Sequence, residues 1–163
     1  MEVKLRNMTA VYLLRGDRVL LLFRQGGRVV SDVWTGSAGG HFEKAELNDA
    51  RACVIREMQE ELGLGEADVD QLTLRSITLR RTNGEIRQNY YFFARLKENV
   101  SGDLQSNEGR LQWFPLHETK GLKMPHTAQY VVEHYCSVGQ WTDRLYVGAT
   151  NADGVSFMEL PEC

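Results

Sequence analysis

Short apolar runs bounded by turn residues open the chain. Met8 to Leu14 predicts one strand, and Gly16-Asp17 turns it into a second, Arg18 to Phe23. Trp34 to Gly40 is a glycine-rich approach to the next element. From Asp49 to Leu62 the period changes. Ala50, Val54, Ile55, Met58 and Leu62 form one stripe at helical spacing, which predicts an amphipathic helix. Leu72 to Arg81 and Glu85 to Leu96 then read as two strands, with Asn83-Gly84 as the hairpin turn. Four aromatics in a row, Tyr90 to Phe93, must send two side chains to each face of that second strand. Leu111 to Phe114 predicts a short strand. Thr127 to Cys136 predicts a second helix that buries Tyr130, Val131 and His134 or Tyr135. Arg144 to Val147 and Val155 to Leu160 predict a last hairpin around Asn151-Ala152-Asp153-Gly154. Strands with two intervening helices predict an α/β fold, a mixed sheet between helices.

Composition narrows the class. The 163 residues contain no linker, repeat or low-complexity segment, so one domain over residues 1–163 is expected. Apolar residues make up 42% and charged residues 25%, as in ordinary globular proteins. The net charge of −3 argues against binding nucleic acid by bulk electrostatics, but does not exclude a nucleotide substrate. Apolar runs such as Val19 to Phe23 are too short to span a membrane. The opening MEVKLRNMTA lacks the apolar core of a signal peptide. Cys53, Cys136 and Cys163 show no metal or disulfide spacing, so reduced thiols in the cytoplasm are expected.

The chemistry concentrates in GGHFEKAELNDARACVIREMQEELGL, residues 39–64. At ~100° per residue, Glu57, Glu60 and Glu61 fall within roughly a 100° arc of one helix face. Like charges at these spacings repel, by about 0.2–0.5 kcal/mol per pair. Gly63 is a natural helix stop, so Glu60 and Glu61 sit in the last turn, where the helix dipole disfavours acids. A solvated acidic face is the common explanation of such a pattern. A hard divalent cation is the other, since Mg²⁺ takes oxygen ligands and is usually held by a few carboxylates plus substrate phosphates.

This segment resembles the Nudix box, G-x5-E-x7-R-E-U-x-E-E-x-G-U, where U is a large aliphatic residue. Gly40 opens the motif, Glu46 takes the first acidic position, and Arg56 to Leu64 (REMQEELGL) matches the second half. Nine residues separate Glu46 from Arg56 where the pattern has seven. Leu47 and Asn48 are read as part of a two-residue insertion at the loop-to-helix junction, with Asn48 suited to cap the helix. Further similarity lies in Trp34 before the double glycine, in Gln112-Trp113-Phe114-Pro115-Leu116 after the long hairpin, and in Glu108, the counterpart of an acid that often precedes that pair.

The resemblance implies the α/β/α Nudix sandwich and hydrolysis of a nucleoside diphosphate linked to another group, with Mg²⁺, or Mn²⁺, as cofactor. It implies Glu57, Glu60 and Glu61 as metal ligands, helped by the Gly40 carbonyl. Glu57, Glu60, Glu61 or Glu108 would supply the base, Arg56 would orient the glutamates, and Glu46 would hold Arg56. Gly39 and Gly40 would let phosphate approach the backbone. Arg24, with Arg80, Arg81 and Arg87, is a candidate for phosphate contact. The layout after Trp113 is similar to the MutT-like oxidised-purine nucleoside triphosphatases, which makes Met124 and His126 candidates for the base site, with Trp34 a further candidate for substrate binding. The acids that those enzymes place there are missing, so modest discrimination between oxidised and normal purines is expected. The expected partner is a small nucleotide, neither nucleic acid nor membrane, with the oligomeric state open. A pyrophosphatase of ADP-ribose, dinucleotides or nucleotide sugars is the alternative. A non-catalytic nucleotide sensor is a second one, disfavoured because a binding module has no need of three clustered carboxylates.

Overall fold

The computed structural model describes residues 3–26 and 32–163. Strands β1 (Lys4–Arg15) and β2 (Arg18–Arg24) form the first hairpin. Short strands β3 (Val33–Thr35) and β4 (Ala38–His41) follow, then helix α1 (Ala50–Leu62). Next come the long hairpin β5 (Val69–Thr82) and β6 (Glu85–Leu96), strand β7 (Arg110–Pro115), helix α2 (His126–Ser137), and β8 (Tyr146–Thr150) with β9 (Val155–Glu159). Among the described residues these strands make one mixed sheet in the order β3-β2-β1-β6-β5-β8-β9, with β4 on β1 and β7 on β2. The pairs β1–β6 and β5–β8 are parallel.

Alternation along β1 sorts the core into two layers. Val11 and Leu13 join Val54, Met58 and Leu62 of α1 on one face. Tyr12 and Leu14 join Val131, Val132 and Tyr135 of α2 on the other. The aromatic run divides in the same way: Phe92 and Tyr90 pack toward α1, Tyr91 and Phe93 toward α2. Phe93 stacks on Tyr135 at 3.7 Å between centroids. The fold is therefore the expected mixed sheet with a helix on each face. No helix among the described residues is long and apolar enough to cross a membrane.

Several elements differ from the sequence expectation. The Trp34 to Gly40 approach contains two short strands, β3 and β4, too brief for any periodicity to register. Both exist because they borrow partners from β2 and β1. The cap of α1 is Asp49, not Asn48: the Asp49 carboxylate accepts the Ala52 N–H at 2.9 Å. A 3₁₀ turn at Lys44–Glu46 runs on through Leu47 and Asn48, and the Asp49 N–H still bonds the Glu46 carbonyl. The chain therefore enters the helix one residue later than expected. Helix α2 buries Val131 and Tyr135 as expected, together with Val132, whereas Tyr130 is only half-buried and sends its hydroxyl to the Asp153 carbonyl. Strand β8 starts at Tyr146, two residues past the expected Arg144, because its register is set by parallel pairing to β5.

Candidate active site

Helix α1 ends at Gly63, which takes the left-handed conformation (φ 69°) and donates its N–H to Gln59. That end presents the carboxylates. Strand β4 runs alongside, and no side chain fits at its double glycine. A Cβ on Gly40 would lie 2.7 Å from the Glu57 carboxyl carbon, and one on Gly39 would lie 2.8 Å from the Ala10 Cα. Gly40 thus brings backbone directly against Glu57, and Gly39 brings it against β1.

Arg56 organises the near side of this site. Its guanidinium meets Glu46 through two bonds, Nε to Oε1 at 2.5 Å and Nη2 to Oε2 at 3.0 Å. The same group donates to Glu57 and Glu60, each at 3.0 Å, and to the His41 carbonyl at 3.1 Å. Glu46 also accepts the Glu43 N–H. With all these partners, above all the Arg56 guanidinium, the Glu46 carboxyl is held down at about 2. The two-residue insertion therefore does not keep Glu46 from Arg56.

The far side is different. Glu57 and Glu61 are both buried, and the Glu61 Oε2 has no hydrogen-bond partner. Burial, then the adjacent Glu57 charge, push the Glu61 carboxyl up to about 8; Arg24 opposes the shift and Glu108 adds to it. The loop carrying Glu108 is docked here, since the Asn107 amide donates to the Glu60 carbonyl at 3.3 Å. Glu60 is half-exposed and turned toward Arg56. In this arrangement no three acidic, histidine or cysteine side chains converge into a ready cluster among the described residues. An all-oxygen set with one orphaned buried oxygen and two carboxylates that repel each other fits a hard divalent cation.

On the other side of β4 lies a cavity of about 300 Å³. Gly39, Gly40 and His41 form one wall. Met8, Ala10, Tyr91, Asn89, Arg87 and Arg80 form the floor. Thr127 and Ala128 of α2 close it, and Arg24 reaches in. The Arg24 Nε is buried and without a partner. His41 stands between the two charge groups: burial, then the Arg6 guanidinium, lower its pKa, while Glu57 pulls the other way.

Three residues expected to bind substrate lie elsewhere among the described residues. Trp34 packs against Phe23 and Phe114 at 4.9 and 4.7 Å between centroids, so its role there is to hold β3 to β2 and β7. Met124 is buried in the α2 core layer. His126 bonds the Asn151 carbonyl at 2.8 Å, tying α2 to the last hairpin. In their place the cavity holds Arg80, Arg87, Asn89 and Thr127. Among these the two arginines were already on the candidate list. Asn89 was missed, and its only signal was its parity with Tyr91 on β6.

Comparison with known proteins now decides the family. The NUDIX domain model matches residues 4–135. The chain belongs to the NUDIX family. It is a Nudix hydrolase, a pyrophosphohydrolase acting on nucleoside diphosphate-linked compounds. Among solved structures, this Nudix chain is similar to the mutator MutT protein of Bacillus halodurans, at 24% identity and TM-score 0.63, covering 97% of this chain and 99% of that one. The E. coli ORF135 protein shares 23% identity at TM-score 0.67, with 83% and 91% covered. An ADP-ribose pyrophosphatase from Streptococcus suis shares 18% at TM-score 0.58, with 89% and 98% covered. At these identities the likeness is one of fold. No curated protein sequence matches the chain at a significant level.

Proposed function

We propose that this Nudix hydrolase cleaves a nucleoside triphosphate to the monophosphate and pyrophosphate, with Mg²⁺ as the preferred cation and Mn²⁺ as a substitute. The observation that carries the reading is the pairing of one small cavity, about 300 Å³, with the buried Glu57 and Glu61 across Gly40. That volume suits one nucleoside with a phosphoryl group beside it, and not the second nucleoside of a dinucleotide.

Glu57, Glu60 and Glu61, with the Gly40 carbonyl, would hold the cation, which neutralises the diphosphate and lowers the pKa of a bound water. Arg56 keeps Glu57 and Glu60 aimed, and Glu46 keeps Arg56 in place. Glu108, whose charge is felt at Glu61, would take the proton of the attacking water, a role otherwise open to Glu57, Glu60 or Glu61. Gly39 and Gly40 admit a phosphate to the backbone, and the unpaired Arg24 Nε gives it a charge-assisted donor. Asn89 and Thr127 supply the polar contacts to the base, with Tyr91 and Ala128 as apolar cover. The three unpaired thiols suit a reducing compartment such as the cytoplasm.

The test is product analysis with Mg²⁺ and Mn²⁺ over dGTP, 8-oxo-dGTP and ADP-ribose. Pyrophosphate release is expected, with modest discrimination between the two purines, because the acids expected at the base site are missing. An ADP-ribose kcat/KM well above both triphosphates would overturn the reading.

A further inference from the structure

Three arginines stand side by side on the cavity face of the sheet. Arg6 on β1 is in register with Arg87 on β6, and Arg87 is in register with Arg80 on β5. Their parity matches that of Met8, Asn89 and Tyr91, so all three belong to the face that floors the cavity. Arg80 and Arg87 line the cavity itself, and Arg6 flanks it. Like charges directly opposite in a sheet are destabilising.

One carboxylate answers the row. Glu85 reaches Arg6 and Arg87, each at 3.4 Å. Arg80 is half-buried and has no ion-pair partner among the described residues. The glutamates of α1 do not balance the row either, because Arg56 is already bonded to Glu46, Glu57 and Glu60. A row of three cations with one anion, two of them opening on the same cavity as Gly39 and Gly40, leaves net positive charge facing that cavity. Guanidinium groups in a rank fit the oxygens of a phosphoryl group better than any neutral base edge.

We propose that Arg80 and Arg87, backed by Arg6, form a second anion subsite for a phosphoryl group beyond the two phosphates held at the α1 carboxylates. The proposal rests on the triphosphatase reading and deepens it: the subsite makes a third phosphate a requirement for tight binding. The same chemistry accepts that phosphate from the end of a triphosphate chain or from an ester on the ribose.

The test uses the full chain in wild-type, Arg80→Gln, Arg80→Lys and Arg87→Gln forms. Inorganic tripolyphosphate and pyrophosphate are titrated with Mg²⁺ by calorimetry. Arg80→Gln is expected to weaken tripolyphosphate binding relative to pyrophosphate by roughly 10- to 100-fold, the range for a lost charge-assisted bond. Arg80→Lys should recover most of it, and Arg87→Gln should act in the same direction. In steady-state kinetics the ratio of kcat/KM for GTP to that for GDP should fall by a similar factor. If instead the ratio for GDP with a 3′-phosphate over plain GDP falls, the extra phosphate is on the ribose and the subsite stands. Equal losses for tripolyphosphate and pyrophosphate, or no loss for either, would overturn it. A wild-type chain that releases no pyrophosphate from any triphosphate defeats the triphosphatase reading alone, and the tripolyphosphate titration still decides the subsite.

Discussion

The carboxylates at the two ends of the Arg56 network make an instructive pair. Glu46 and Glu61 are almost equally buried, 7% and 8% exposed, yet one is held near 2 and the other pushed to about 8. Their surface exposures match, but burial is the first cause of the rise at Glu61, whereas at Glu46 the Arg56 guanidinium outweighs it. Glu46 receives two guanidinium bonds and a backbone N–H. Glu61 faces Glu57 and Glu108 and has an oxygen with no partner at all. A closed charge network is sufficient for folding. An open one costs stability, and persists where something outside the chain completes it. On the proposed function, the Glu46 end is scaffold and the Glu57–Glu61 end is the working site.

The sharpest way to break this contrast is to neutralise each end in turn. Glu57→Gln and Glu61→Gln should each lower kcat by at least about 100-fold, the range for loss of a group that stabilises developing charge. The metal-free melting temperature of Glu61→Gln should stay level or rise, because a repulsion is removed and no bond from Arg56 is lost. Glu46→Gln should do the reverse. It should cost about 1.5–3 kcal/mol in denaturant unfolding, as one charged hydrogen-bond partner is lost, with a smaller fall in kcat. Equal activity losses at both ends would erase the distinction between scaffold and site.

A second, smaller effect is the pH dependence of metal-free stability, which has opposite signs at the two ends. The Glu46 pKa is depressed from the ordinary 4.5 to about 2, so its contribution is present above 4.5 and is lost as pH falls toward 2. The Glu61 pKa is raised, so the folded state binds the proton more tightly than the unfolded one. Stability is then full below 4.5 and declines as pH rises toward about 8. Thermal melts from pH 2 to 9 should show both slopes. Glu46→Gln should remove the acid limb and Glu61→Gln the neutral one. A wild-type profile flat between pH 5 and 8 would count against the open end.

The smallest expected effect concerns the entry to α1. Asp49→Ala should cost about 1 kcal/mol, the usual value for a lost N-cap, whereas Asn48→Ala should stay within about 0.5 kcal/mol. Chemical denaturation of the two variants separates them, and the reverse order would restore Asn48 as the cap.

What the sequence made legible follows from how local each feature is. The REMQEELGL half of the box is a single helix, so its spacing alone brings Glu57, Glu60 and Glu61 to one face. The Asn83-Gly84 turn likewise marks a contiguous hairpin, and both of its strands are where the pattern put them. The cavity is not local. Its floor joins Met8, Asn89 and Arg80 from three strands, and only the register of β1, β6 and β5 makes them neighbours. That is why Trp34, Met124 and His126, chosen by position along the chain, lie in packing or tethering roles, and why Asn89 went unseen. Strands β3 and β4 were invisible for the same reason, since each is defined by its partner rather than by its own composition.

The central claim is that the open end of α1 is a divalent-cation site. It is tested most directly by titrating Mn²⁺ into the protein and following the free ion by electron paramagnetic resonance. The wild type should bind Mn²⁺, Glu57→Gln and Glu61→Gln should weaken it by at least about 10-fold, as for loss of a group essential to a metal centre, and Glu46→Gln should weaken it less. Wild-type affinity in both the Glu57→Gln and Glu61→Gln variants would contradict the account.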